Sequence, residues 1–248
     1  MGYPVDVVDE VKAIEVIESA WENHRSMHIV TLNAEMVVQA QQDPDLDRII
    51  RHAHLIIPDG AGVVWAVRLA GEHIERLPGI ELSSAALSHA ARYDKRVVLL
   101  GGKPDVVKKL TEDLPVKHPG LDIVYSHDGF FTAEDAESIV DEIAQLDPDL
   151  ILVALGVPKQ EYFIDQWSHA FPRAVMIGVG GSFDVWAGQI KRAPKFMRDL
   201  HLEWLYRVVI EPWRIKRIGA SLPNFGLQVL QDRMLGGSKN KTKTNGKR

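Results

Sequence analysis

The chain has 248 residues, 46% of them hydrophobic, enough apolar material to bury a full core as one large α/β domain or as one domain with an appendage. Its 29 Lys+Arg against 34 Asp+Glu give a formal charge of −5, unevenly spread. From Gln189 to Arg248 there are 14 basic and 4 acidic residues, so an acidic body precedes a basic segment suited to an anionic partner: nucleotide diphosphate, anionic lipid or nucleic acid. The lack of cysteine excludes disulfides and thiolate chemistry and fits a reducing compartment. Apolar runs such as Leu150–Leu155 fall far short of the ~18 residues needed to span a membrane. The acidic opening, MGYPVDVVDEVKAIE, has no basic segment followed by an apolar one and does not read as a secretory signal. The expectation is a protein kept inside the cell that can touch a membrane without crossing it.

In chain order, strands are predicted at His28–Leu32, His54–Ile57, Arg96–Leu100, Asp122–Tyr125, Leu150–Ala154 and Ala174–Val179. Most are unbroken Val/Ile/Leu runs, as expected of strands covered on both faces of a parallel sheet. Between them, Ala34–Ala53, Gly62–Ala70, Ser83–Tyr93, Pro104–Leu114, Ala133–Leu146 and Glu161–Ala170 carry helical spacing, with Asp105 and Thr132 as start signals. This alternation argues for an α/β fold built on a Rossmann-like, open and mostly parallel sheet. Beyond Gly180 an amphipathic, arginine-bearing helical appendage follows, interrupted at Pro212, which should kink it or start a new helix. The final residues, GSKNKTKTNGKR, read as a disordered tail. The expected organisation is a body over 1–188, a helical appendage over 189–236 and a tail over 237–248.

In an open parallel sheet, ligands bind beyond the carboxyl ends of the strands. The residues there are Thr31 and Asn33; Pro58-Asp59-Gly60; Gly101-Gly102; Asp128-Gly129; Gly156 with Lys159-Gln160-Glu161; and Gly180-Gly181-Ser182 with Asp184. Such residues also serve ordinary turns, but all six ends together point to one polar rim. Asp59 leads the candidates for a catalytic group. Two readings stand for it from its neighbours alone: a carboxylate in the crevice, or the N-cap of the helix starting near Gly62. The run Gly178 to Phe183 is not a dinucleotide fingerprint, because Phe183 takes the place of the third glycine. No His/Asp/Glu group has metal spacing, and Asp43-Pro44-Asp45 and Asp147-Pro148-Asp149 read as solvated turns. No cofactor is expected.

In the appendage, Arg207, Arg214 and Arg217 are spaced to share one face of a continuous helix. Guanidinium groups bind phosphate oxygens in two-pronged fashion, so the three suit a diphosphate clasp. A merely wetted basic face, or attraction to anionic lipid, is the alternative. Trp204, Tyr206 and Trp213 among them also suit a membrane interface.

The runs TLNAEM (31–36), PDGAGVVW (58–65), RLPGIEL (76–82), LLGG (99–102), HDGFF (127–131), LGVPKQE (155–161), VGGSFDVWAG (179–188), KRAP (191–194) and LEWLYR…EPWR (202–214) together resemble the WecG/TagA/CpsF glycosyltransferases. The resemblance spans about Met27 to Arg217. It implies an inverting, metal-independent transferase that moves a sugar from UDP to a polyprenyl-diphosphate-linked acceptor in bacterial surface-polymer synthesis. The sugar it implies is N-acetylmannosamine, its uronic acid or a related hexose, and the acceptor lipid is undecaprenyl diphosphate carrying a sugar. Asp59 matches the general base, and Thr31 and Asn33 line its pocket. Arg76 and Gln160 match polar groups holding the sugar or the diphosphate, beside the substrate-facing glycines Gly101, Gly102, Gly180 and Gly181. Arg207, Arg214 and Arg217 match arginines that close over the UDP diphosphate, while the appendage reaches the membrane. The implied location is cytoplasmic, on the inner face of the cell membrane, with self-association allowed. Two positions depart from the pattern: Glu81 stands where aspartate is usual, and His201 where glycine is common.

Two rivals belong to other classes. A non-catalytic, Rossmann-like nucleotide- or nucleic-acid-binding module would need neither Asp59 nor Gln160. The acidic body opposes nucleic acid, and the missing fingerprint opposes an NAD-dependent oxidoreductase.

Overall fold

The computed structural model describes residues 2–200, 202–212 and 215–234. It is an α/β sandwich around six strands: β1 (Met27–Leu32), β2 (Leu55–Pro58), β3 (Arg96–Gly101), β4 (Asp122–His127), β5 (Leu150–Ala154) and β6 (Val175–Gly178). Every pairing is parallel, in the order β2-β1-β6-β5-β3-β4. All six predicted strands are present, and four of them are buried along their length, three of these wholly apolar and β1 carrying His28 and Thr31 among apolar neighbours. Parallel pairing needs crossovers, and helices supply them on both sides.

One face of the sheet packs on α1 (Glu10–Glu22), α5 (Gly79–Arg92) and α6 (Pro104–Lys117), through Ile29, Ile57, Val97, Leu99, Leu152 and Ile177. The other face has two apolar clusters. Val30, Leu32 and Ile56 meet α2 (Ala34–Ala40), α3 (Pro44–His52) and α4 (Ala61–Leu69). Val98, Leu100, Ile151, Val153 and Met176 meet α7 (Ala133–Gln145) and α8 (Lys159–Trp167).

Sequence and structure differ in four places. Helix α1 was not anticipated: it begins at Asp9, whose side chain accepts from Lys12 N at 2.8 Å, and buries Ala13, Ile14, Ile17, Ala20 and Trp21. The single helical stretch over Ala34–Ala53 is two helices, because Asp43 caps α3 by accepting from Leu46 N at 3.1 Å and Pro44 takes the first helical position. Asp147-Pro148-Asp149 is not a solvated turn: Asp149 is buried, accepts from Arg96 N at 3.0 Å and pairs with Arg173 at 2.8 Å. A charge removed from water this far persists because it is paired and hydrogen-bonded. Thr132 does start α7, with a full capping box, whereas Asp105 lies in the first turn of α6, which Lys103 caps without a side-chain bond.

The fourth difference is in the C-terminal segment, which comprises α9 (Ser182–Trp186), α10 (Lys195–Asp199), α11 (Glu203–Ile210) and α12 (Ile215–Met234). Pro212 separates α11 from α12, so Arg207 and Arg217 stand on different helices and no single helix carries a stripe through them. Arg214, His201 and the tail lie outside the described residues. Helix α12 is anchored by Phe225 and Val229, both buried in the cluster with α2 and α4. A Cβ on Gly62 would lie 3.1 Å from Ala34 Cβ and 3.3 Å from the Phe225 ring, so glycine there lets α4, α2 and α12 close together. The end of the appendage is thereby held beside the helix starts that follow β1 and β2, on the edge where the polar rim lies.

Candidate active site

Asp59 follows β2 directly. Its backbone N–H donates to Leu32 O at 3.0 Å, which ties the end of β2 to the end of β1. The N-cap of α4 is Gly60, with no side-chain cap bond. That removes the capping reading and leaves the Asp59 carboxylate over the sheet edge. It faces the N–H of Gly79, which opens the 14-residue α5 and so presents the positive end of a helix dipole. Gly79 is glycine for a steric reason: a Cβ there would lie 2.7 Å from Thr31 Cγ2.

Arg76 completes the surroundings. Its Nε donates to the Asp59 carbonyl, while Nη2 lies 3.5 Å from Asp59 Oδ1 and 3.0 Å from Glu203 Oε2. Glu203 belongs to α11, so one guanidinium joins the body to the appendage. Withdrawal from water is the largest influence on Asp59 and pushes its carboxyl above the ordinary carboxylate range. The Arg76 charge and the Gly79 N–H pull it down, and the Glu203 charge pushes it up again. The side chain still keeps 28% of its surface exposed, so the carboxylate is reachable from the cleft.

Arg192 extends the network. It pairs with Glu81 and lies 3.9 Å from Glu203, while Arg198 lies 3.9 Å from Glu81. The departure at Glu81 is therefore a carboxylate bridging α5 to two appendage arginines. On α11, Glu203 and Arg207, with Glu211 just beyond, are spaced four apart and share one side. Arg207 pairs with Glu211 at 3.5 Å. Both lie near Asp184, whose carboxyl is pushed up chiefly by burial against the pull of Lys103 and Arg207.

Thr31 and Asn33 flank Asp59 with much of their polarity already engaged. Thr31 Oγ1 donates to Gly178 O at 3.2 Å, and Asn33 Oδ1 accepts from Met36 N at 3.0 Å as the N-cap of α2. Gln160 is fully buried: its amide donates to Glu161 Oε1 at 3.0 Å and accepts from Gly180 N at 3.0 Å. Gly180 and Gly181 open the turn after β6, two strands from Asp59. Gly101 and Gly102 stand four strand spacings from Asp59, roughly 19 Å. Only an elongated ligand lying along the rim reaches both. A Cβ on Gly101 would come within 2.5 Å of the Ala154 carbonyl, so close backbone approach explains that glycine. Thr31, Asn33, Asp59 and Arg76 thus converge, Gln160 lies beneath the next turn, and Arg207 lies on α11, paired with Glu211 and near Asp184. Arg217 lies in the first turn of α12, and Arg214 is outside the described residues.

Sequence reasoning passed over Glu203, Arg192 and Arg198. Arg192 and Glu203 fall within the KRAP and LEWLYR runs, but their partners Glu81 and Arg76 lie more than 100 residues away in the chain. Among the described residues, no group of three or more His, Cys, Asp or Glu could hold a metal ion.

The family described as "Glycosyl transferase WecG/TagA/CpsF family" matches residues 1–239. A protein of Bacillus subtilis (strain 168), named N-acetylglucosaminyldiphosphoundecaprenol N-acetyl-beta-D-mannosaminyltransferase, is 40% identical over 205 residues, covering 82% of this chain and 79% of its own. A protein of the same name from Bacillus spizizenii (strain ATCC 23059 / NRRL B-14472 / W23) is 38% identical over 211 residues, covering 85% and 81%.

The raised Asp59 carboxyl has a consequence for stability. A carboxyl that the fold favours in its neutral form costs nothing below its unfolded pKa of about 3.9; the cost grows as pH rises from there to the folded pKa and is complete above it. Asp59→Asn is expected to raise the melting temperature at pH 7, with the gain shrinking as pH falls toward 4, by calorimetry across pH. A variant less stable than wild type at pH 7 would contradict the assigned environment.

Proposed function

Because the chain belongs to the WecG/TagA/CpsF family of glycosyl transferases, we propose that it moves N-acetylmannosamine, or a related hexose, from a UDP-sugar to a polyprenyl-diphosphate-linked acceptor. The product would enter a bacterial surface polymer. The observation that carries this reading is the Asp59 carboxylate at the sheet edge, bridged through Arg76 to an appendage that also brings Arg207. The names of the two relatives supply the transferred sugar and the acceptor class.

In this mechanism Asp59 accepts the proton of the acceptor hydroxyl as that oxygen attacks the anomeric carbon. The bond to the diphosphate breaks, UDP departs with the electron pair, and the configuration inverts. A carboxyl shifted above the usual range is a stronger base than an exposed aspartate, and a positioned base contributes about 10²–10⁴-fold. Charge on the departing diphosphate is met by guanidinium groups: Arg76 and Arg207, with Arg214 and Arg217 following Pro212. Fixed positive charge in a cleft poor in water is worth more than the same charge in solvent. Glu203 pairs with Arg76 and Glu211 with Arg207, so a diphosphate that binds these guanidinium groups exchanges one anion for another.

The outer side of α11 carries exposed apolar residues. Leu205 and Val209 lie opposite the charged side of α11, and Phe196, Leu200 and Trp204 are exposed nearby. We read this as a face that seats on the membrane surface and presents the cleft to a lipid-linked acceptor. Among the described residues no helix is long and apolar enough to cross a membrane.

The decisive experiment measures UDP release from UDP-N-acetylmannosamine with a short-chain prenyl-diphosphate N-acetylglucosamine acceptor, alongside UDP affinity. Asp59→Ala should lose transfer by about 10²-fold or more with UDP affinity retained, whereas Arg207→Glu should weaken UDP binding about 10-fold or more. UDP binding without transfer from any UDP-sugar by the wild-type chain would favour the non-catalytic module instead. Separately, the wild-type chain should co-sediment with vesicles of phosphatidylglycerol, and the pair Leu205→Ser and Val209→Ser should release it. Equal sedimentation of the two would contradict the membrane face.

A further inference from the structure

Beneath the turn that follows β6 lies a buried chain of polar groups that the reaction above does not use. His28, on β1, places Nε2 2.7 Å from Glu161 Oε2, and Glu161 is fully buried. The other carboxylate oxygen, Oε1, accepts from Gln160 Nε2 at 3.0 Å, and Gln160 Oε1 accepts from the backbone N–H of Gly180 at 3.0 Å. The chain therefore runs from the middle of the sheet to the first residue of the glycine turn. We propose that Glu161, held by His28, is a positioning residue that orients Gln160 and through it fixes the Gly180–Gly181 turn on which the nucleotide diphosphate rests. What the turn serves rests on the transferase reading, but the relay itself does not.

Donor and acceptor chemistry gives the relay its direction. A backbone N–H only donates, and the Glu161 oxygen that meets the Gln160 NH₂ accepts. A glutamine between them has one satisfying orientation, with its NH₂ toward Glu161 and its carbonyl toward Gly180. Glu161 thus selects the amide orientation, and His28 keeps the carboxylate from rotating away. Burial raises the stakes, since an unsatisfied polar group in this setting carries its full desolvation cost. The surroundings are built for the relay. A Cβ on Gly178 would overlap Gln160 Nε2 and Glu161 Oε1, so β6 must carry glycine where the two side chains cross it. Gly180 itself has φ +49°, in the left-handed region, and a turn of that shape gains from an anchor on its N–H. The anchored turn adjoins Thr31, whose hydroxyl holds Gly178 O, and lies one strand further from Asp59.

The test uses the full chain and reads hydrogen exchange at the Gly180 amide together with UDP affinity. Glu161→Met keeps the length of the side chain and removes the acceptor. In a variant with native circular dichroism, Gly180 should exchange about 10-fold faster and UDP should bind about 10-fold more weakly. The exchanged pair Gln160→Glu with Glu161→Gln rebuilds the donor and acceptor order from His28 to Gly180, whereas Gln160→Glu alone sets two carboxylates face to face. The pair should therefore protect Gly180 better than the single variant, an effect that general loosening of the core would not give. A folded Glu161→Met variant with Gly180 protection and UDP affinity within about twofold of wild type would overturn the proposal. Should that variant fail to fold, a pair protecting Gly180 no better than Gln160→Glu alone would overturn it equally. Gly180 exchange that changes in the variants as described, in a protein whose wild-type form binds no UDP, would support the relay and overturn the transferase reading.

Discussion

One guanidinium holds this molecule's two halves in a shared electrostatic arrangement. Arg76 stands between Asp59 of the sheet edge and Glu203 of the appendage, within 3.5 Å of the first and 3.0 Å of the second. A cation placed between two carboxylates cannot satisfy both equally. Asp59 therefore keeps a weaker hold on it than a lone partner would, and burial then prevails in setting its proton affinity. The same contact makes the position of α11 felt at the sheet edge, because movement of Glu203 changes the charge that Asp59 meets. Appendage and carboxylate are coupled by electrostatics across a chain separation of more than 100 residues.

The rest of the sheet edge is shaped to keep that arrangement open. Gly79 lets the start of α5 press against Thr31, which directs an N–H at Asp59. Gly60, having no side chain to cap α4, leaves the aspartate free to face the cleft. Phe225, packed where α2 and α4 begin, anchors the far end of the appendage to the body. Each of these is a packing solution, and together they leave a polar group at a place where a cap or a bulky side chain would have closed the space.

Much of the fold was legible in the sequence because parallel strands buried on both faces write themselves as Val/Ile/Leu runs. Helix α1 was harder to see, since Ala13, Ile14 and Ile17 alternate with acids and its opening was weighed only as a targeting signal. The break between α2 and α3 was written in Asp43-Pro44, a cap followed by a first-turn proline, but the helical period reads straight through it. Asp59 was legible as a candidate, while its neighbours left capping and cleft undecided; only the start of α4 at Ala61 separates them. Long-range ion pairs leave no local trace. Glu203 looks like any acid in a basic segment, and nothing near Gln160 in the sequence announces that its amide is spent on Glu161 and Gly180.

We propose Asp59 as a base whose proton affinity is set by burial against Arg76. The pH dependence of kcat/KM for sugar transfer tests it most directly. Activity should rise with pH through a single ionisation above the ordinary carboxylate range. Replacing Arg76 by Met should move that rise to higher pH, because the cation that lowers the Asp59 pKa has gone. A rise confined to the range of an exposed aspartate, or one that Arg76→Met leaves in place or moves downward, would contradict it.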